Sequence, residues 1–202
     1  NLFYLNFEVD ENLQSSFVKL LKELIEYRFA SYKISYDLSY VERGDINQPV
    51  NTQIHKAFNK TDVHKLFKFT SAAANPDVYK MFGHVRPKGV KEQFIFVTLI
   101  KTDFQIEYAY QDYFKSDRLL HWQSTKGTKE KNEGGKSIIN HKSTGKDIHL
   151  FVRTSSTAGR KFLYCGKINF LNGKGNGPFN VDFELETPIP KKISEEFVRV
   201  GI

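Results

Sequence analysis

The spacing of hydrophobic positions changes about halfway along the chain. Between residues 10 and 33, Leu13, Phe17, Leu20, Leu21, Leu24 and Ile25 recur every three or four positions, which is the spacing of one helical face. Asp10 stands ahead of them as the expected N-cap. This stripe reads as a packing face. Residues 2–9 predict a short strand before it. Residues 37–52 are polar, carry Gly44 and Pro49, and read as a connection and a boundary. Residues 52–69 predict a second helix, with Ile54, Phe58, Val63, Leu66 and Phe67 inward, and residues 70–93 read as loop. From there the pattern turns β-rich: QFIFVTLIK (93–101), DIHLFVR (147–153), KFLYCGKINFL (161–171) and FNVDFELE (179–186). Alternation in the last puts Asp182, Glu184 and Glu186 on the wet face of a strand. GKGNG (173–177) reads as a hairpin turn. Residues 124–146 are polar, carry Gly127, Gly134, Gly135 and Gly145, and predict a long mobile loop. The expected class is α+β: helices first, then a largely antiparallel sheet.

Composition narrows this picture. A chain of 202 residues makes one large domain, or one with a small appendage. With 40% hydrophobic and 14% aromatic residues it is neither disordered nor collagen-like. Cys165 stands alone, which excludes an internal disulfide framework and a cysteine zinc site. No apolar run approaches the ~20 residues of a membrane span. The first residues lack the basic region of a secretory signal. We therefore expect a soluble, cytoplasmic protein. The chain starts without a methionine and reads as a piece of a longer one.

Charge changes the picture more. The formal net charge is +7, yet residues 115–174 alone hold 13 basic and 4 acidic side chains, a local charge of +9. Two readings stand: a solvated lysine-rich loop, or a face that binds a polyanion. On the second reading Lys126, Lys129, Lys131, Lys136, Lys142 and Arg153 are the phosphate contacts. Tyr113, Phe114, His121, Trp122, Phe151 and Tyr164 are interleaved with the basic residues. Basic plus aromatic is the composition that holds a nucleic-acid backbone and stacks a base.

Catalytic patterns do not emerge. There is no GxxxxGK[ST], no GxGxxG and no GxSxG. His121, His141 and His149 lack HExxH spacing, so no metal or other cofactor is expected. His121, Asn132 and His141 superficially follow a His-Asn-His nuclease order, without a ββα unit around them. No residue is assigned a catalytic role.

The segment YQDYFKSDRLLHWQST (110–125) carries the most chemistry. Trp122 sits in sequence beside His121, Gln123 and Ser124, with Asp112, Tyr110 and Tyr113 just upstream. One reading is a buried structural tryptophan. The other is a pocket that stacks a flipped base on Trp122, reads its edge with the polar neighbours, and uses the tyrosines as a second wall.

These marks carry a resemblance. TLIK (98–101), YQDYF (110–114), HWQS (121–124), INH (139–141), LFVR (150–153), Gly166 and PIP (188–190) occur in an order that resembles the uncharacterised C-terminal domain attached to superfamily-2 helicases of bacterial restriction systems. FNKTDVHKLF (58–67) resembles that family's short upstream helix, so the resemblance spans roughly residues 54–190. Thr125 departs from the commoner HWQSQ. Some members are type IV restriction enzymes of the SauUSI kind, which join a phospholipase-D-like nuclease, a helicase-type ATPase and this domain, and attack DNA carrying 5-methylcytosine. The resemblance implies a helical coupling segment at 1–48 and a target-recognition domain at 49–202, binding double-stranded DNA with modified cytosine. Nuclease and ATPase would lie upstream in the same chain, making the parent an ATP-dependent endonuclease of antiphage defence and this part non-catalytic. By analogy alone, the sheet is expected to be barrel-like, of SRA or PUA type. The competing readings are a sequence-general DNA-binding or protein-docking module, and a free-standing enzyme.

Overall fold

A computed structural model describes residues 18–20, 40–68, 83–87, 89–100, 111–155 and 161–200. The chain divides into two units, Asn1–Tyr36 and Asp37–Ile202. In the first unit, residues 18–20 are helical; the strand expected at 2–9 and the rest of the helix expected at 10–33 lie outside the described residues, as does Tyr110. No helix among the described residues is long and apolar enough to cross a membrane.

The second unit is mixed α/β and built on one sheet. Its elements are β1 (Ala57–Asn59), α1 (Lys60–Leu66), β2 (Gly83–Val85), β3 (Gln93–Ile100), β4 (Tyr113–Phe114), β5 (Leu119–Gln123), α2 (Glu133–Ile139), β6 (Ile148–Ser155), β7 (Lys161–Lys174), β8 (Asn180–Leu185) and α3 (Lys191–Val200). The strand order is β2-β3-β6-β7-β8-β5-β4, with β1 on β7. Of these pairings only β3 with β6 is parallel. The sheet is open, with β2 and β4 at its ends, and the expected barrel-like closure is not formed.

Burial explains the order. β3 and β6 each have a strand on both sides and are apolar on both faces, as their continuous runs require. Ile95, Val97, Leu150, Val152 and Leu163 face one layer, together with Trp122, Val181, Phe183 and, from α3, Ile193 and Phe197. Phe94, Phe96, Phe151, Phe162 and Tyr164 face the other, closed by Phe58 of β1 and by Val63 and Leu66 of α1. β5 and β8 are buried on one face only, so they alternate.

Two expected elements are corrected. Residues 52–69 are not one helix. A 3-10 turn at Val50–Gln53 leads into β1, whose Phe58 pairs with Phe162, and the α-helix starts only at Lys60. Residues 40–48 pack with this unit: Arg43 bridges to Ala57, and the ring of Phe58 fills the space where Gly44 would carry a side chain. The stretch 124–146 is an ordered segment containing α2. Asn132 caps that helix by accepting from the Gly135 backbone N–H at 3.1 Å. Gly135 serves close approach here, because a side chain would run into the carbonyl oxygens of Lys129 and Glu130.

Candidate nucleic-acid interface

The lysine-rich segment is pinned to the sheet at several points. Ser124 is fully buried. Its Oγ accepts from the Phe179 backbone N–H at 2.9 Å and shares its one proton between the carbonyls of Thr125 and Thr128, each at 2.9 Å. Further on, Ser137 donates to Gln93 Oε1 at 2.7 Å, and His84 Nε2 contacts the same oxygen at 2.8 Å, tying α2 to β3 and β2. His141, 3% exposed, donates from Nδ1 to the Lys146 carbonyl at 3.1 Å and accepts at Nε2 from the Phe170 N–H at 3.2 Å. Burial pushes its imidazole below the ordinary range, which keeps it in the neutral form this double role needs. Between these pins Lys126, Lys129, Lys131, Lys136, Lys142 and Lys146 are all exposed. We expect Ser124→Ala to strand the buried Phe179 N–H and to cost ~1–3 kcal/mol, read as a lower urea midpoint with unchanged slope.

Arg153 belongs elsewhere. It lies one strand-repeat beyond Phe151 on the second core face, donates to Thr98 Oγ1 at 2.8 Å, and stacks 4.8 Å above the Phe162 ring. Lys60 approaches the same ring at 5.4 Å. Burial, with Arg153 adding to it, pushes the Lys60 ammonium down to about 8.

The residues around Trp122 do not form one pocket. β5 alternates, so Leu120 and Trp122 enter the core while His121 and Gln123 face away. Trp122 is 2% exposed and packs 6.1 Å from Phe183. On the outer face His121 Nδ1 donates to Asp182 Oδ1 at 2.7 Å, and Lys115 Nζ meets both Asp182 oxygens at 2.8 Å. Burial raises the Asp182 carboxyl, but the Lys115 and His121 hydrogen bonds outweigh it and hold it below the usual carboxylate range. Tyr113 lies against His121, with ring centroids 4.9 Å apart. Gln123 donates from Nε2 to Asn180 at 2.9 Å, and its backbone N–H donates to Asp112 Oδ1, also at 2.9 Å. His121, Gln123, Asp112 and Tyr113 therefore stay together, whereas Trp122 and Ser124 are core and anchor.

The other core face opens into a cavity of about 470 Å³ that local sequence reading missed. Its aromatic walls are Phe67, His149 and Tyr164. Phe67 meets His149 edge-on at 4.5 Å, and His149 tilts against Tyr164 at 5.8 Å. Burial raises the Tyr164 phenol and pushes the His149 imidazole down to about 4. The neutral phenol therefore donates to His149 Nδ1 at 2.7 Å, leaving the ring proton on Nε2. A bulge sets this wall. His149 pairs with Lys167 and Phe151 with Tyr164, so β7 carries an extra residue, and Gly166 absorbs it at φ 82°. Tyr164 and Lys167 would otherwise point to opposite faces; the bulge brings both to the cavity.

Residues 52–197 match the family described as "Domain of unknown function (DUF3427)". The match spans well over half of the chain, which belongs to that family, and it contains the residues 54–190 over which the resemblance was read. No curated protein matches the chain.

Proposed function

We propose that this member of the DUF3427 family is a DNA-binding target-recognition domain, reading 5-methylcytosine for nuclease and ATPase modules elsewhere in a longer chain. The observation that supports it best is the lysine segment. Six exposed lysines at 126–146 project from a scaffold held by Ser124, Asn132, Ser137 and His141. A flexible loop loses conformational entropy when it closes on a polyanion; a pinned one loses less. Phosphate contacts position the protein without reading sequence. The resemblance to restriction-associated domains supplies the modified-cytosine part of the reading.

The test is salt-dependent binding to a duplex. Each phosphate contact contributes a log–log slope of about −0.9. Replacing Lys126, Lys129, Lys131 and Lys136 together with Gln should flatten that slope and weaken methylated and unmethylated duplexes alike. Affinity that does not vary with salt would remove the nucleic-acid reading.

A further inference from the structure

We propose that the cavity lined by Phe67, His149 and Tyr164 takes a cytosine-type base turned out of the duplex, its amino group directed at the carboxylates of the rim. The inference rests on the DNA-binding reading above.

Shape comes first. About 470 Å³ between aromatic side chains suits a flat ring with part of its sugar. Phe67, His149 and Tyr164 offer π-faces and edges, and stacking on such groups tolerates any base. The walls therefore hold a ring without choosing it.

Charge narrows the choice to bases that carry an exocyclic amine. Among the described residues the lining includes Glu92, Asp147 and Glu186 against the one ammonium of Lys167. Lys167 is engaged by Asp147 at 2.7 Å. A phosphate carried into this cavity would meet an excess of negative charge, so a free nucleotide is a poor occupant. A neutral base whose phosphates stay outside is a good one. Carboxylates accept hydrogen bonds, and the exocyclic amine of cytosine donates them; Glu and Asp read cytosine in this way. Thymine carries the same 5-methyl group but presents an acceptor at that position, which the rim would repel.

Placement agrees. Asp147 follows directly on Lys146, the last lysine of the basic segment, and leads into His149. The Asp147 carbonyl accepts from the Gln93 N–H at 2.7 Å, fixing this junction to β3. Lys146 is the lysine of the segment that adjoins this junction, since α2 packs through Ile138 on the opposite layer; a phosphate held at Lys146 would lie nearest the cavity. The cavity opens on the sheet face opposite Trp122, which explains how a base pocket can exist although Trp122 is buried.

The experiment uses the whole chain and duplexes that differ at one position: 5-methylcytosine·G, cytosine·G, thymine·A, and 5-methylcytosine opposite A. Glu92→Gln and Glu186→Gln are combined, leaving the Asp147–Lys167 pair intact; both sites are on the rim, and thermal melting checks that the fold is kept. The parent is expected to prefer 5-methylcytosine over thymine by about tenfold or more. It should bind the mismatched duplex more tightly still, since a mismatched base costs less to extrude. The double variant should bring 5-methylcytosine and thymine to within about threefold while keeping the parent's salt slope. A variant that keeps the parent's preference overturns the pocket and leaves DNA binding standing. So does a parent that binds every duplex equally. A parent that binds no duplex overturns both readings.

Discussion

Trp122→Ala is expected to destabilise the domain by ~3–5 kcal/mol, the usual cost of truncating a large aromatic inside a core. The indole is 2% exposed, lies across the β5–β8 ladder from Val181, and packs on Phe183. Around it Leu120, Val181, Phe183 and Leu185 are also fully buried, so the vacated space has no polar lining to admit water. Small domains have ~5–15 kcal/mol in total, so one such change removes a large share. Denaturant unfolding measures it. The fraction that still folds should bind DNA with the parent's salt slope and the parent's choice of base, because Trp122 lies outside the cavity that Phe67, His149 and Tyr164 line. A variant that melts like the parent, yet loses its preference for modified cytosine, would restore the indole as the stacking plate.

Of the two readings of Trp122, its burial favours the structural one. The pocket reading takes His121, Trp122 and Gln123, adjacent in sequence, as adjacent in space. In a strand, adjacent side chains take opposite faces. LLHWQ shows the alternation in its own letters, Leu120 and Trp122 against His121 and Gln123, and that signal would have separated them. The long strands were legible because their apolar runs are long or strictly alternating: 93–101, 147–153, 161–171 and 179–186 each overlap an observed strand, two of which run on to Ser155 and Lys174. β1 was not, since its three residues adjoin a helix and owe their conformation to pairing with Phe162 and Leu163. Among its described side chains α3 offers only Ile193 and Phe197 as buried anchors, too few to form a visible stripe.

Glycine and lysine misled in a different way. The run around Gly134 and Gly135 reads as loose chain, because composition cannot distinguish freedom from close approach. Here Gly135 admits the carbonyls of Lys129 and Glu130, and buried Ser124 and His141 lock the two ends. The positive charge was legible and the rigidity beneath it was not. The cavity was illegible for a simpler reason. Phe67, Glu92, Asp147 with His149, Tyr164 with Lys167, and Glu186 come from five places along the chain, and the bulge at Gly166 breaks the alternation between Tyr164 and Lys167. Whether a sheet of eight strands closes or stays open depends on curl and register, which no local pattern encodes.

Mild acid should destabilise the domain, and His149 should account for much of the loss. The ring is 2% exposed, and burial holds it at about 4 against an ordinary 6.5; Asp147 pulls it up and Lys167 pushes it down by smaller amounts. A depressed imidazole means that the unfolded chain binds the proton more tightly. The stabilisation is therefore complete above 6.5 and is lost as pH falls from there towards 4, at ~1.4 kcal/mol per pH unit for one proton, or about 3 kcal/mol in all. Protonation would also take Nδ1 away as the acceptor of the buried Tyr164 hydroxyl. His84, also held at about 4 by burial, adds loss in the same window. Asp182, held below the usual carboxylate range, acts only at lower pH and does not overlap. Melting temperatures between pH 7.5 and 4.5 should fall steeply in the parent. In His149→Gln they should start lower and fall by about one proton's slope less. A variant with the parent's full pH dependence would show that the proton binds elsewhere.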